Sequence, residues 1–290
     1  MFVISGVSGR TGGAAADVLL AAGKPVRVVV RDAIKGEPWR AKGAEVCVAS
    51  FEDREALVAA LRGVEGAYLL LPPFGFGETG VPASRKRLRD ALLGAVLQAR
   101  PQHVVFLSSV GAQHTDGTGP IADLHPVETA LSASGIPTTI LRAAYFMENW
   151  GPMVAGAVES GSLYQGLEAG KKIPQVATRD IGAAAADLLL HPTRSGTRVV
   201  HLSGPEEYSL LDTAAALSRV AGRPVQGVQV PIEGMMAAMQ GMGASAEVAK
   251  IYGEMVAAIN SGRVAWEDGN ATVRRGTTSL DTVLRTLLGG

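Results

Sequence analysis

The feature that most restricts the fold is the order of segments at the start of the chain. An apolar run, "MFVIS", leads into a glycine-rich turn, "GVSGRTGG" (Gly6 to Gly13). An amphipathic stretch, "GGAAADVLLAAG", follows, and then the β-branched run "PVRVVVRD". Ala15, Val18, Leu19 and Ala22 fall at helical spacing, with Gly23 as a stop. Pro25 opens a run whose branched side chains suit a strand. The alternation continues: "AEVCVAS" reads as a third strand, "REALVAALRG" as a helix with Asp53 at its N-cap, and "GAYLLLPP" as a fourth strand halted by Pro72 and Pro73. Further along, "VPASRKRLRDALLGAVLQAR", "HPVETALSASG" and "RDIGAAAADLLLH" read as helices. They separate the strands "HVVFLSSVGA", "PTTILRAAYF" and "TRVVHLSG". Strands covered on both faces appear as continuous apolar runs, as these do. Regular strand–helix alternation predicts an α/β fold with a doubly wound parallel sheet and right-handed crossovers.

Bulk composition narrows the class. Of 290 residues, 47% are hydrophobic and 19% charged, which fits a globular chain with a sizeable core. Lys plus Arg equals Asp plus Glu at 27 each, so no electrostatic case exists for nucleic-acid binding. Cys47 is the one cysteine, which rules out an intrachain disulfide or a CxxC motif, and its setting in "AEVCVA" reads as a core thiol. Met1 leads straight into an apolar strand with no basic segment before it, so no signal peptide is expected. The apolar stretches are short or interrupted, as at Asp187, so no membrane span is expected and a cytoplasmic location is the default. The five histidines, 103, 114, 125, 191 and 201, are scattered, and no metal site is expected.

The last third changes character. "SLLDTAAALSRVAG" is a good helix, but the segment after it is rich in Met, Ala and Gly, and four of the eight methionines lie between Met235 and Met242. Two readings stand: flexible thioethers lining an adaptable apolar pocket or lid, or a surface helix pair. The predicted organisation is a dinucleotide-binding core of Rossmann type over residues 1–150. Residues 151–290 would complete the sheet (at about 176–204) and form a small C-terminal substrate lobe.

Context gives the glycine stretch a mechanism, because it follows a strand and opens a helix. Gly6 permits a tight turn, Gly9 lets the backbone approach a pyrophosphate, and Gly12 lets the helix pack on the sheet. The helix N-terminus then offers free N–H groups to the phosphates. At the end of the second strand, an NAD site carries an acid for the ribose hydroxyl. Here Arg31 comes first and Asp32 second, and Arg10 adds a guanidinium inside the loop. Two arginines match a 2′-phosphate, so NADPH is favoured over NADH, with Asp32 the argument for NADH.

With these pieces in place, the chain resembles the NmrA-like family, a branch of the atypical short-chain dehydrogenases/reductases. The resemblance rests on "GVSGRTGG", "VVVRD", "FEDREALVAALRGVEGAYLLLPP", "VVFLSSVGA", "VETALSASGIPTTILRAAYFMENW", "RDIGAAAADLL" and "HLSGPEEYSLLDTAAALSRVAGRPV", in family order from residue 1 to about 230. It implies a Rossmann domain with a small C-terminal substrate lobe. It also implies either an NAD(P)H-dependent reductase of quinones, azo compounds and dyes, or a regulator that binds NADP and a protein partner without turnover. By that resemblance Gly6, Ser8, Gly9, Arg10, Thr11 and Gly12 form the pyrophosphate loop, Arg31 meets the 2′-phosphate, and Leu71 and Pro72 line the adenosine side. Ser108 and Ser109 end the fifth strand at the ligand crevice, and Ala144, Tyr145 and Phe146 flank the nicotinamide. Two departures stand out: Ser50 replaces the usual Asp near the adenine, and "DLHPVET" places His125 three residues before Glu128, outside the family's fixed pattern.

No tyrosine is followed four residues later by Lys, so reversible alcohol oxidation through a Tyr-x-x-x-Lys pair is disfavoured. An aromatic acceptor makes less demand on a dedicated base, because the proton can follow the hydride from water. His125 and Tyr145 are the catalytic candidates. Each has an alternative reading, His125 as a helix-start cap and Tyr145 as an aromatic wall. The expected protein is an NADPH-dependent oxidoreductase of an apolar aromatic acceptor, acting as a monomer or homodimer.

Overall fold

A computed structural model describes residues 1–269 and 271–289. Eight strands make the main sheet: β1 (Phe2–Ile4), β2 (Val26–Val30), β3 (Glu45–Val48), β4 (Gly66–Leu69), β5 (Val104–Ser109), β6 (Thr138–Ala143), β7 (Thr197–Ser203) and β8 (Thr272–Arg275). Across the sheet they run β3-β2-β1-β4-β5-β6-β7-β8, parallel at every pairing. The predicted α/β doubly wound sheet is therefore present. All strand C-termini meet at one edge, and the order reverses between β1 and β4, where a ligand crevice opens in such sheets.

The helices are α1 (Arg10–Ala21), α2 (Glu37–Ala41), α3 (Arg54–Leu61), α4 (Val81–Ala99), α5 (His125–Ala133), α6 (Gly151–Ser160) and α7 (Thr178–Leu190). They are followed by α8 (Leu210–Ala221), α9 (Ile232–Gly241), α10 (Ala246–Ser261) and α11 (Leu280–Leu287). Helices α1 and α7 bury Ala15, Ala16, Leu19, Ile181, Ala185 and Leu188 on one sheet face. On the other face α3, α4 and α5 bury Leu57, Leu61, Leu92, Val96, Val127 and Leu131. Small residues bring α1 and α7 together: a Cβ on Gly182 would stand 2.4 Å from the Ala14 Cβ. Asp53 caps α3 as predicted, accepting from the Ala56 N–H.

A third core cluster gathers Met147, Trp150, Val154, Leu163, Leu210, Leu217, Leu280 and Leu284, mostly from the C-terminal half. Two small sheets edge it: Ser162–Gln165 with Gln226–Gln229, and Tyr145–Phe146 with Ile173–Val176 and Glu207–Tyr208. The sequence predicts seven main strands, and β8 is an eighth. Its sequence, "TVRR", lacks an apolar run because an edge strand is largely solvated; Val273 is 68% exposed. The methionine-rich segment divides between its two readings. Helix α9 has no buried residue, whereas α10 buries Val248, Ala249, Gly253, Val256, Ala258 and Ile259.

Candidate functional site

The glycine loop is shaped by its lack of side chains. After β1, the Ser5 N–H donates to the Tyr68 carbonyl on β4 at 3.0 Å. Gly6 takes φ +67°, and a Cβ there would lie 2.8 Å from the Leu70 side chain across the switch point. Both the conformation and the space require glycine. The Gly9 N–H donates to the Gly6 carbonyl at 2.9 Å, closing the turn. Gly12 lets α1 rest on the loop itself, since a Cβ would come 2.5 Å from the carbonyl oxygens of Ser5 and Gly6. Gly9 caps α1 without any side-chain bond, and the N–H groups of Arg10, Thr11 and Gly12 have no carbonyl one turn earlier in the helix to receive them. The result is a backbone cradle for an anion, with Ser8 exposed at its rim and Thr11 buried beneath it.

At the end of β2, Arg31 is exposed and has no hydrogen bond or ion pair with any described residue. The Asp32 carboxylate accepts from the Ile34 N–H at 2.9 Å and caps the short turn Ala33–Gly36. Arg10 extends the other way, toward the turn after β6, where it donates to the Glu148 carbonyl at 3.4 Å. The two arginines thus serve opposite sides of the cradle rather than one point. Ser50 is engaged locally, accepting from the Glu52 N–H at 3.2 Å.

Leu71 and Pro72 follow β4 at the crevice, both half-buried. The Pro72 carbonyl accepts from the buried Arg85 guanidinium, which also pairs with Asp123. On β5, Ser109 bonds back to the Val110 carbonyl at 3.0 Å, while Ser108 turns under α5 and donates to Glu128. Glu128 in turn forms a bidentate pair with Arg142 at 3.0 and 2.6 Å, and Arg142 reaches Glu267 at 2.6 Å. Burial works against the Arg142 charge, but the two glutamates outweigh it and hold its pKa above the usual arginine value. Ser108, Arg142 and His201 are aligned across β5, β6 and β7, and His201 stacks on Trp266 at 4.6 Å. Sequence reasoning overlooked Arg142. The available signal was a charged residue inside the otherwise apolar run "TTILRAAYF".

His125 opens α5 half-buried, with Nδ1 3.1 Å from the Ala112 carbonyl and Nε2 3.4 Å from the Thr129 hydroxyl. Tyr145 follows Ala144 at the end of β6, its ring 6.0 Å from Trp150. The ring keeps some accessible surface, but burial of the phenol pushes its pKa up to about 12, with the Asn149 hydrogen bond opposing. At neutral pH Tyr145 therefore carries its proton. No hydrogen bond joins it to His125. The segment after Tyr145 is fixed on both sides. Trp150 donates to Gln175 at 3.0 Å, and Glu148 accepts from the Thr178 N–H at 2.9 Å, capping α7. Among the described residues no cluster of His, Cys, Asp and Glu could hold a metal ion, and no helix is long and apolar enough to cross a membrane.

The comparisons bear on the family and the fold. A model of the NmrA-like family matches residues 1–265. The chain is 28% identical over 257 residues to the NAD(P)H azoreductase of Xenophilus azovorans, covering 89% of this chain and 86% of that protein. It is 30% identical over 243 residues to the (4-alkanoyl-5-oxo-2,5-dihydrofuran-3-yl)methyl phosphate reductase of Streptomyces griseus, covering 82% and 80% respectively. Its fold matches the NADPH-dependent quinone oxidoreductase of Escherichia coli, complexed with NADPH, at TM-score 0.82 and 25% identity, over 99% of this chain and 100% of that one.

Proposed function

The chain belongs to the NmrA-like family, and from that premise we propose that it is an NADPH-dependent reductase of an apolar aromatic acceptor such as a quinone or azo compound. The observation that carries the reading is the cradle at the switch point with an unpaired guanidinium at the end of β2. A backbone closed to any Cβ at Gly6 and Gly12 leaves room and N–H donors for a pyrophosphate. An exposed Arg31 suits a 2′-phosphate, and one Asp32 carboxylate oxygen already accepts within its own turn, which supports NADPH over NADH. The relatives named above as azoreductase and quinone oxidoreductase support both the cofactor and the acceptor class.

NADPH, when bound, supplies a hydride from its nicotinamide ring. The chain's own residues bind and orient. The free N–H groups of α1, with Ser8 and Arg10, would hold the pyrophosphate. Leu71 and Pro72 would line the adenosine side, and Ala144 and Tyr145 would flank the nicotinamide. Ser109 closes the crevice at the end of β5, while Ser108 acts through Glu128. Tyr145, neutral at physiological pH, can donate a hydrogen bond to the acceptor but cannot serve as a base. His125 is half-buried and is the group to test for proton delivery. Positioning carries most of the rate, because the net proton can come from water.

Two measurements test the reading. Purified protein should oxidise NADPH in the presence of quinones or azo dyes; tight NADPH binding without turnover would favour a sensing role. Arg31→Ala should weaken NADPH by about 10- to 100-fold and NADH by less than about 3-fold, as expected for loss of a charge-assisted phosphate contact. Equal losses for both cofactors would remove the 2′-phosphate assignment.

A further inference from the structure

Above the C-terminal edge of the sheet, α10 and the loop between β4 and α4 are fastened together. The Glu247 carboxylate accepts from the N–H groups of Gly80 and Val81, at 2.7 and 3.1 Å, and so caps α4. Two residues earlier, the Ser245 N–H donates to the Phe76 carbonyl at 3.1 Å, and its hydroxyl donates to the Glu78 carbonyl at 2.6 Å. The same hydroxyl accepts from the Val248 N–H at 3.1 Å, capping α10. Beneath this latch lies an apolar cluster of Val81, Ala244, Val248 and Ala249, packed with Phe74, Met236, Met239 and Tyr252.

The latch brings together two rings from distant parts of the chain. Phe74, two residues beyond Pro72 at the crevice, and Tyr252 on α10 have centroids 5.6 Å apart with planes tilted by 60°. Arg85, anchored by Asp123, stands 5.9 Å from the Phe74 ring. Both residues are half-buried, so each keeps some accessible surface. The same Arg85 donates to the Pro72 carbonyl, which ties the pair to the segment that follows β4 at the crevice.

We propose that Phe74 and Tyr252 form the specificity-determining face for planar aromatic acceptors, and that Glu247 and Ser245 are positioning residues holding those rings in register. The proposal deepens the reductase reading and rests on it. A flat, multi-ring acceptor can stack on one ring and meet the other edge to face, with polarizable methionines behind the pair. A small single-ring acceptor gains less from that surface.

The test compares phenanthrenequinone, flat and three-ringed, with duroquinone, a single methylated ring. Wild type should prefer phenanthrenequinone. Tyr252→Leu and Phe74→Leu should each lower kcat/KM for it by about 10-fold, the size of a lost aromatic pair. Duroquinone turnover and the NADPH Kd should stay within about 3-fold. Tyr252→Phe, which keeps the ring, should retain the preference. Glu247→Ala should raise KM for phenanthrenequinone more than it lowers kcat, and Glu247→Gln, which keeps one acceptor oxygen, should fall between. Equal effects on both quinones, or a loss of NADPH affinity instead, would overturn the proposal while leaving the reductase reading intact. If wild type turns over neither quinone, equilibrium dialysis of phenanthrenequinone against the NADP-loaded protein decides. Binding that is lost in Tyr252→Leu upholds the aromatic face without the reductase reading, and absence of binding sinks both.

Discussion

The two ends of the crevice are built from different materials. The proposed cofactor end is backbone: a closed turn, a helix start and glycines at positions where any Cβ would strike a carbonyl or a packed leucine. Eight contiguous residues and Arg31 make its phosphate-facing part. The proposed acceptor end is side chain: Phe74, Tyr145 and Tyr252 come from three separate segments. Two charged networks brace it, Arg85–Asp123 and Ser108–Glu128–Arg142–Glu267. A backbone site tolerates changes of chemistry but not of volume. A side-chain site tolerates volume but depends on each charge keeping its partner.

Arg142 should therefore show the largest effect. Replacing it by Met leaves Glu128 buried without its counter-charge, at a cost of about 3–5 kcal/mol of unfolding free energy in urea titrations. The double variant Arg142→Met/Glu128→Gln should recover part of that loss. If the single variant costs less than about 1 kcal/mol, the bracing network is not what holds the acceptor end. Glu267→Ala should cost far less, because that carboxylate is half exposed.

Gly12→Ala is the matching test at the cofactor end. Its Cβ would meet two backbone oxygens at 2.5 Å, and backbone cannot swing aside as a flexible side chain would. A loss of about 1–3 kcal/mol in stability, together with weaker NADPH binding, is expected by calorimetry and titration. Unchanged NADPH binding would show that the cradle is looser than its geometry.

This contrast also explains which parts were legible in the sequence. Gly6, Gly9 and Gly12 could be read because a local turn forces local residue types, and the order of the apolar runs fixed the sheet through β7. The β8 strand was not legible, since "TVRR" on a solvated edge has no apolar signature. Nor was the pairing of Arg10, which looked like a partner of Arg31 but reaches Glu148 instead. Its direction depends on where β6 delivers residues 148–151, a tertiary fact. The Glu247 latch and the Arg142 network were equally hidden. Their partners lie far apart in the chain, and a lone Glu on a helix looks like a solvated face until its neighbours are known.

Tyr145 sharpens the comparison through pH. A phenol pushed up to about 12 stays protonated across the physiological range, so Tyr145 contributes no titrating limb between about pH 6 and pH 9. Removing its hydroxyl in Tyr145→Phe should lower kcat/KM by about 10-fold or less and leave the shape of the pH profile unchanged over that range. A basic limb that vanishes in Tyr145→Phe would mean that the phenol titrates lower and takes part in proton transfer. Its elevated value also has a stability consequence. The neutral form is favoured in the fold, so that contribution is intact below the unfolded tyrosine value of about 10 and is lost as pH rises toward 12.

The smallest effect concerns the floor of the backbone site. Tyr68 on β4 is fully buried beside the loop, and among the described residues its hydroxyl has no partner within hydrogen-bond geometry, with only the Thr11 side chain near enough to oppose the burial that pushes its pKa far above the ordinary tyrosine value. Tyr68→Phe removes a polar atom that the fold does not satisfy, while the ring keeps its packing. Stability should rise by about 1 kcal/mol, raising Tm by about 2 °C, with NADPH affinity unchanged. A fall in Tm would mean that a buried water or the neighbouring Thr11 hydroxyl meets that oxygen in solution. The cofactor end would then depend on a side-chain hydrogen bond as the acceptor end does, and the division between a backbone site and a side-chain site would narrow.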